Sequence, residues 1–268
     1  MLLFCIAALA LAVVQANAQS PANSGTQEPS NERRPQARNE QEREDFNAAY
    51  ALTGAAAAES AADGFAGRYP ASELRRYLYS SAMLQHQREN NPAKMLAMGE
   101  RVLELDPDNP LALVLTATAL ADSLTDRDRD REKKIMAIKR NAARGIQAAE
   151  AGYPGNAGTA PLYKTTLQAM AYSALGIMKL KTGDDAGAEK ELKTAADLAK
   201  VRPDAYIWYP LALAQDHRKK YTAALGSIQQ ALQLASSDPE LQQLAEVEFD
   251  RLARLAKHTG NQFPMDPQ

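Results

Sequence analysis

The sequence predicts an all-α fold, a stack of helix-turn-helix units set side by side. Three observations carry this. Beyond about residue 45, alanine, leucine and charged residues dominate, and no run of alternating β-branched residues marks a strand. Apolar residues there recur three and four apart, the spacing of one face of a helix. Two adjacent segments also match at a fixed offset: Tyr172, Leu175, Ala188 and Ala195 are followed by Trp208, Leu211, Ala224 and Ala231, each 36 residues on.

Taken in chain order, the first eighteen residues, MLLFCIAALALAVVQANA, form an apolar run ending in small residues. They read as a secretory signal with cleavage before Gln19, although the usual basic residue near Met1 is missing. An uncleaved membrane anchor is the alternative. Cleavage would leave an exported chain, periplasmic or extracellular, with no membrane span. The chain's single cysteine, Cys5, lies in this segment, so the mature protein would hold no disulfide and no thiol ligand. Residues 19–44 are polar and contain proline, too poor in large apolar side chains to offset the entropy of ordering, and are expected to be a disordered tether. Lys and Arg total 31 against 33 Asp and Glu, for a formal charge of −2. That balance points to neither nucleic acid nor anionic lipid as a partner.

The helical region is expected over residues 45–260, with a short tail at 261–268. A first unit runs from Asp45 to Pro70, with Phe46, Tyr50 and an alanine-rich stretch. A second begins with Tyr79, Ala82 and Met83, breaks at Asn90-Asn91-Pro92, and resumes through Met95, Val102 and Leu105 to Asp106-Pro107. A third spans Leu111 to Leu124 and Glu132 to Ala151, interrupted by TDRDRDREKK. Alternate aspartates there resemble the start of a calcium loop, but the intervening arginines and the absent Gly and Glu make a solvated, charge-paired segment the better reading. Gly and Pro in Ala151 to Lys164 predict a loop. The fourth unit contains LGIMKLKTGDDAGAEKEL: two amphipathic helices joined at Thr182-Gly183-Asp184, where Gly183 takes positive φ and Asp184 caps the second helix. The fifth follows 36 residues later. Prolines at 203 and 239 fall between units, where they open a helix rather than interrupt one. Pro239 to Thr259 is an amphipathic closing helix with a charged outer face, about five units plus a cap in all.

These landmarks, an aromatic at Tyr172 or Trp208, the Leu175-Gly176 pair and alanines at fixed places, resemble the tetratricopeptide repeat (TPR) family. Tyr69-Pro70-Ala71-Ser72 is similar to a junction found in envelope TPR proteins of Gram-negative bacteria. The resemblance implies a right-handed α-solenoid whose first helices line a concave groove that binds a peptide or a partner helix. Carried over position by position, the groove would present Tyr77, Leu84 and Arg88, then Met170, Ser173, Ile177 and Lys181, then Tyr206, Tyr209, Leu213 and His217. Members that clamp a peptide's terminal carboxylate use basic and asparagine side chains where this chain has Ser173, Ile177, Tyr209 and Leu213. An apolar, aromatic-lined groove is therefore expected here, unless Tyr206 and Tyr209 simply pack against the neighbouring helix.

No phosphate loop, nucleophile elbow or zinc-protease motif occurs, and His86, His217 and His258 fall in separate units, as surface or groove polar residues. The expectation is therefore a non-catalytic protein-protein interaction scaffold of the cell envelope, without metal or cofactor. The alternative is an accessory module that presents substrate to a separate enzyme or transporter.

Overall fold

The structure is a computed structural model that describes residues 36–151 and 160–260. The signal segment, most of the tether, the tail and residues 152–159 of the expected loop lie outside the described residues. Among the described residues there are eleven α-helices and no strand. In chain order they are α1 (Glu40–Tyr50), α2 (Ala55–Arg68), α3 (Arg75–Arg88), α4 (Pro92–Leu105), α5 (Pro110–Ser123), α6 (Arg131–Glu150), α7 (Ala160–Lys181), α8 (Asp185–Leu198), α9 (Ala205–His217), α10 (Tyr221–Leu234) and α11 (Pro239–Gly260).

Asparagine or aspartate followed by proline starts three of these helices. Asn91, Asn109 and Asp238 each accept a hydrogen bond from the backbone N–H three residues on, at 3.2, 3.0 and 3.1 Å. The proline that follows supplies the helical φ where no N–H is needed. At the turn after α7, Gly183 has φ of +80°, and Asp184 accepts from the Gly187 N–H at 2.9 Å. Every helix packs on the next one in the chain, and α5 also packs on α7. This nearest-neighbour order is that of a solenoid, and the core is correspondingly strung out. One apolar cluster joins α2 to α5 around Phe65, Met83 and Val102. A second joins α5, α6 and α7 around Val114, Ile138 and Met178, and a third joins α9, α10 and α11 around Ile228, Leu241 and Leu252.

Size complementarity repeats along the stack. Gly176 on α7 faces Leu192 on α8; a Cβ on Gly176 would lie 2.5 Å from the Leu192 Cγ. In the α3–α4 pair the sizes are reversed, with Met83 against Gly99, and a Cβ on Gly99 would meet Met83 Sδ at 3.4 Å and Thr116 Cγ2 at 2.6 Å. Ala212 and Ile228 share the third cluster as an intermediate solution. Each pair is 16 residues apart. Polar contacts repeat too: Lys179 donates to Glu191 at 2.7 Å, and at positions 36 residues later Ser227 donates to Gln215, also at 2.7 Å.

Several boundaries depart from the sequence reading. Helix α1 begins at Glu40 rather than Asp45, because Asn39 caps it by accepting from the Glu42 N–H at 2.8 Å. Glu42 is buried and accepts from the Arg38 backbone N–H, so this end of the expected tether is folded. Helix α7 starts at Ala160, inside the stretch expected as loop, with Pro161 in its first turn. Pro210 lies buried inside α9, where only first-turn prolines were expected. Proline has no N–H to donate within the helix, a cost of about 3 kcal/mol in a helix interior. Burial of Pro210, Leu211 and Ala212 on neighbouring helices offsets that cost. Along α11 the outer face is charged but also exposes Leu244 and Val247.

Candidate functional site

The groove positions divide into three groups. On α3, Leu84 is buried in the first cluster, whereas Tyr77 is half-buried with the Arg76 guanidinium 5.1 Å from its ring centre. Arg88 is exposed at the C-terminal end of that helix.

On α7, Ser173 and Ile177 are buried, and Met170 packs against both the first and the second cluster. This face is occupied because α7 lies on α5. Lys181 ends the same helix, and its ammonium donates to the backbone carbonyls of Ala121, at 3.0 Å, and Asp122. These are carbonyls of the last turn of α5, where a cation complements the negative end of the helix dipole.

On α9, Tyr209 is 7% exposed and belongs to the third cluster, with Leu213 packed beside it. The Tyr206 hydroxyl donates to Asp238, the cap of α11, and Arg251 of α11 pairs with Asp216. Burial raises the Tyr209 hydroxyl pKa, reinforced by the charge of Glu248. Tyr209 thus packs into the interior. His217 remains exposed, its Nδ1 2.9 Å from an Asp185 carboxylate oxygen. The structure therefore does not bring the eleven positions together on one open surface: Tyr77, Arg88, Lys181 and His217 are reachable at the rims, while Leu84, Ser173, Ile177 and Tyr209 are interior.

Two polar centres escaped the sequence reading. Glu189, 2% exposed, accepts from Lys193, Arg218 and Lys220 together. Burial alone would raise its carboxyl, but hydrogen bonds and charges from Lys193 and Lys220 outweigh that and hold it at about 2. The second is the joint between α5, α6 and α7. Arg131 donates to the Lys181 carbonyl at 3.1 Å and pairs with Asp126 at 3.2 Å, so the expected charge-paired run fastens the end of α7. Asp128 caps the turn through the Thr125 N–H and pairs with Lys134, both at 3.0 Å. Behind them the Asp122 carboxyl has a buried Oδ2 without a hydrogen-bond partner among the described residues, and burial pushes its pKa up to about 8 against the opposing charge of Lys181. His86 corrects another expectation. It is 4% exposed, its Nε2 lies 2.8 Å from Glu59, and Lys94 reaches the same carboxylate at 2.6 Å. The side chain of His258 lies outside the described residues.

Among the described residues no group of three or more His, Cys, Asp or Glu side chains is placed to hold a metal ion, and no helix is long and apolar enough to cross a membrane. In comparison with known proteins, no family model and no curated sequence matches this chain.

Proposed function

We propose that the chain is an exported TPR-type α-solenoid, five right-handed units plus the closing helix α11, that serves as a non-catalytic interaction scaffold of the bacterial envelope. The recurring Met83/Gly99, Gly176/Leu192 and Ala212/Ile228 pairs, each at the same separation, support the repeat. The binding reading rests on one observation: the first-helix face stays accessible at its two ends. Tyr77 and Arg88 mark one end, and Leu213 and His217 the other, with α7 filling the middle. A stack that orders so much surface yet leaves aromatic, aliphatic and cationic groups accessible at separated points suits a peptide or helix that spans them. Export rests on the first eighteen residues of the sequence.

The test is a photo-crosslinking amino acid placed at Tyr77, at Leu213 and, as an outer control, at Gln230, in the native host. Adducts with one shared partner from the first two positions and none from the third are expected. Equal adducts from all three, or none from the first two, would overturn the reading. Should that partner be an enzyme or a transporter, the accessory-module reading gains instead.

A further inference from the structure

Helices α4 and α6 each pack on α5, and a cleft of about 420 Å³ opens between them. It shares no residue with the eleven groove positions. Its floor is aliphatic: Leu96, Leu103 and Leu120 are half-buried and Leu113 is fully buried. Each wall is held close to α5 by a glycine, since a Cβ on Gly99 would lie 2.6 Å from Thr116 and one on Gly145 2.7 Å from Val114. The cleft is therefore a fixed feature of the packing.

The walls carry opposite charge. Glu100 and Glu104 stand on α4, and Arg140 and Arg144 on α6. Arg144 is engaged with the Pro107 carbonyl and the Asp108 carboxylate. Arg140 is held differently. Thr116 donates to the carbonyls of Ala112 and Leu113, Asn141 donates to the Thr116 hydroxyl at 3.0 Å, and the Arg140 Nε donates to the Asn141 carbonyl oxygen at 3.1 Å. Asn141 is 5% exposed, and no carboxylate pairs with Arg140 among the described residues. A buried relay thus grips the guanidinium through Nε and leaves its two terminal nitrogens free, the edge that takes a carboxylate in two parallel bonds. Asn141 also retains a second amide N–H beside the cleft.

We infer that this cleft binds a short peptide segment that carries a carboxylate, an aliphatic side chain and a cation on neighbouring residues. The carboxylate takes the free edge of Arg140, the aliphatic group lies on the leucine floor, and the cation faces Glu100. The cleft volume is that of a small-ligand site, with a few converging polar groups over an apolar base.

The experiment is an NMR titration of the isotopically labelled full chain with the blocked peptide acetyl-Ala-Glu-Leu-Lys-Ala-amide. The neutral counterpart, with Gln replacing both Glu and Lys, is the control. Shifts at Leu103, Thr116 and the Asn141 side-chain amide are expected. Arg140→Gln, an exposed change, and the neutral peptide should each weaken binding by about tenfold. No shift at the cleft at millimolar peptide, or shifts equally strong with Arg140→Gln and with the neutral peptide, would overturn the inference. Shifts confined to Tyr77 and Leu213 would also overturn it, while supporting the first-helix face, so the two readings fail separately.

Discussion

At Gly176 two residue-level effects compete. Alanine is the better helix former by about 1 kcal/mol, but its Cβ would lie 2.5 Å from the Cγ of Leu192, a fully buried side chain with no room to retreat. Overpacking of that kind costs about 1–3 kcal/mol, so packing wins. Gly176→Ala is expected to lower stability by about 1 kcal/mol in urea unfolding, and pairing it with Leu192→Ile, the arrangement used at Ala212 and Ile228, should recover part of the loss. Gly226 is the control: nothing lies within 4 Å of its added Cβ, so Gly226→Ala should stabilise by up to about 1 kcal/mol. A loss at Gly226 as large as at Gly176 would refute the packing account. The role of Gly176 was legible in the sequence because it follows Leu175 as the small Ala212 follows Leu211 at the repeat offset. Gly99 was not, since there the small residue sits on the second helix and only the contact with Met83 reveals the exchange. Burial of His86 was equally hidden, because Glu59 lies 27 residues away.

At the level of elements, sequence periodicity located the helices well and their ends less well, because ends depend on partners far along the chain. Lys181 looked like a groove residue by its position, yet the carbonyls it reaches belong to α5, 59 and 60 residues earlier. The same joint yields a pH prediction. Below about pH 4 the Asp122 carboxyl is protonated whether the chain is folded or not. Between there and the folded value of about 8, the unfolded chain gives up a proton that the folded chain keeps. Stability therefore falls as pH rises across that window, at up to about 1.4 kcal/mol per pH unit, and levels off above it. Asp122→Asn has nothing to titrate, so its stability relative to the parent chain should grow from pH 4 to pH 8. Urea midpoints for both chains at pH 4, 6 and 8 measure this. A difference that stays constant with pH would mean that the carboxyl is not held neutral.

For the molecule as a whole, a stack of this kind has stability that is roughly a sum of local helix-pair and neighbour-interface contributions. Its unity then depends on the weakest interface. The seat of α7 bears on this, because α7 packs on α5 as well as on α6. Two cations fasten that seat: Lys181 onto the last carbonyls of α5, and Arg131 onto the last carbonyl of α7. Each donates a charge-assisted bond to the C-terminal end of a helix, worth about 1.5–3 kcal/mol. Replacing both with glutamine leaves the apolar cluster that holds Val114, Leu167 and Met178 in place, so the chain should still fold. Its cooperativity should not survive intact. Hydrogen exchange followed by mass spectrometry is expected to show α2–α5 and α9–α11 opening together in the parent chain and separately in the double variant, with the C-terminal helices exchanging first. They should go first because their third cluster is capped by α11 alone, whereas the first cluster also gains Met170 from α7. If both halves instead lose protection in step, by the same amount, the array is held together by its apolar interfaces and the charged run merely decorates the turn.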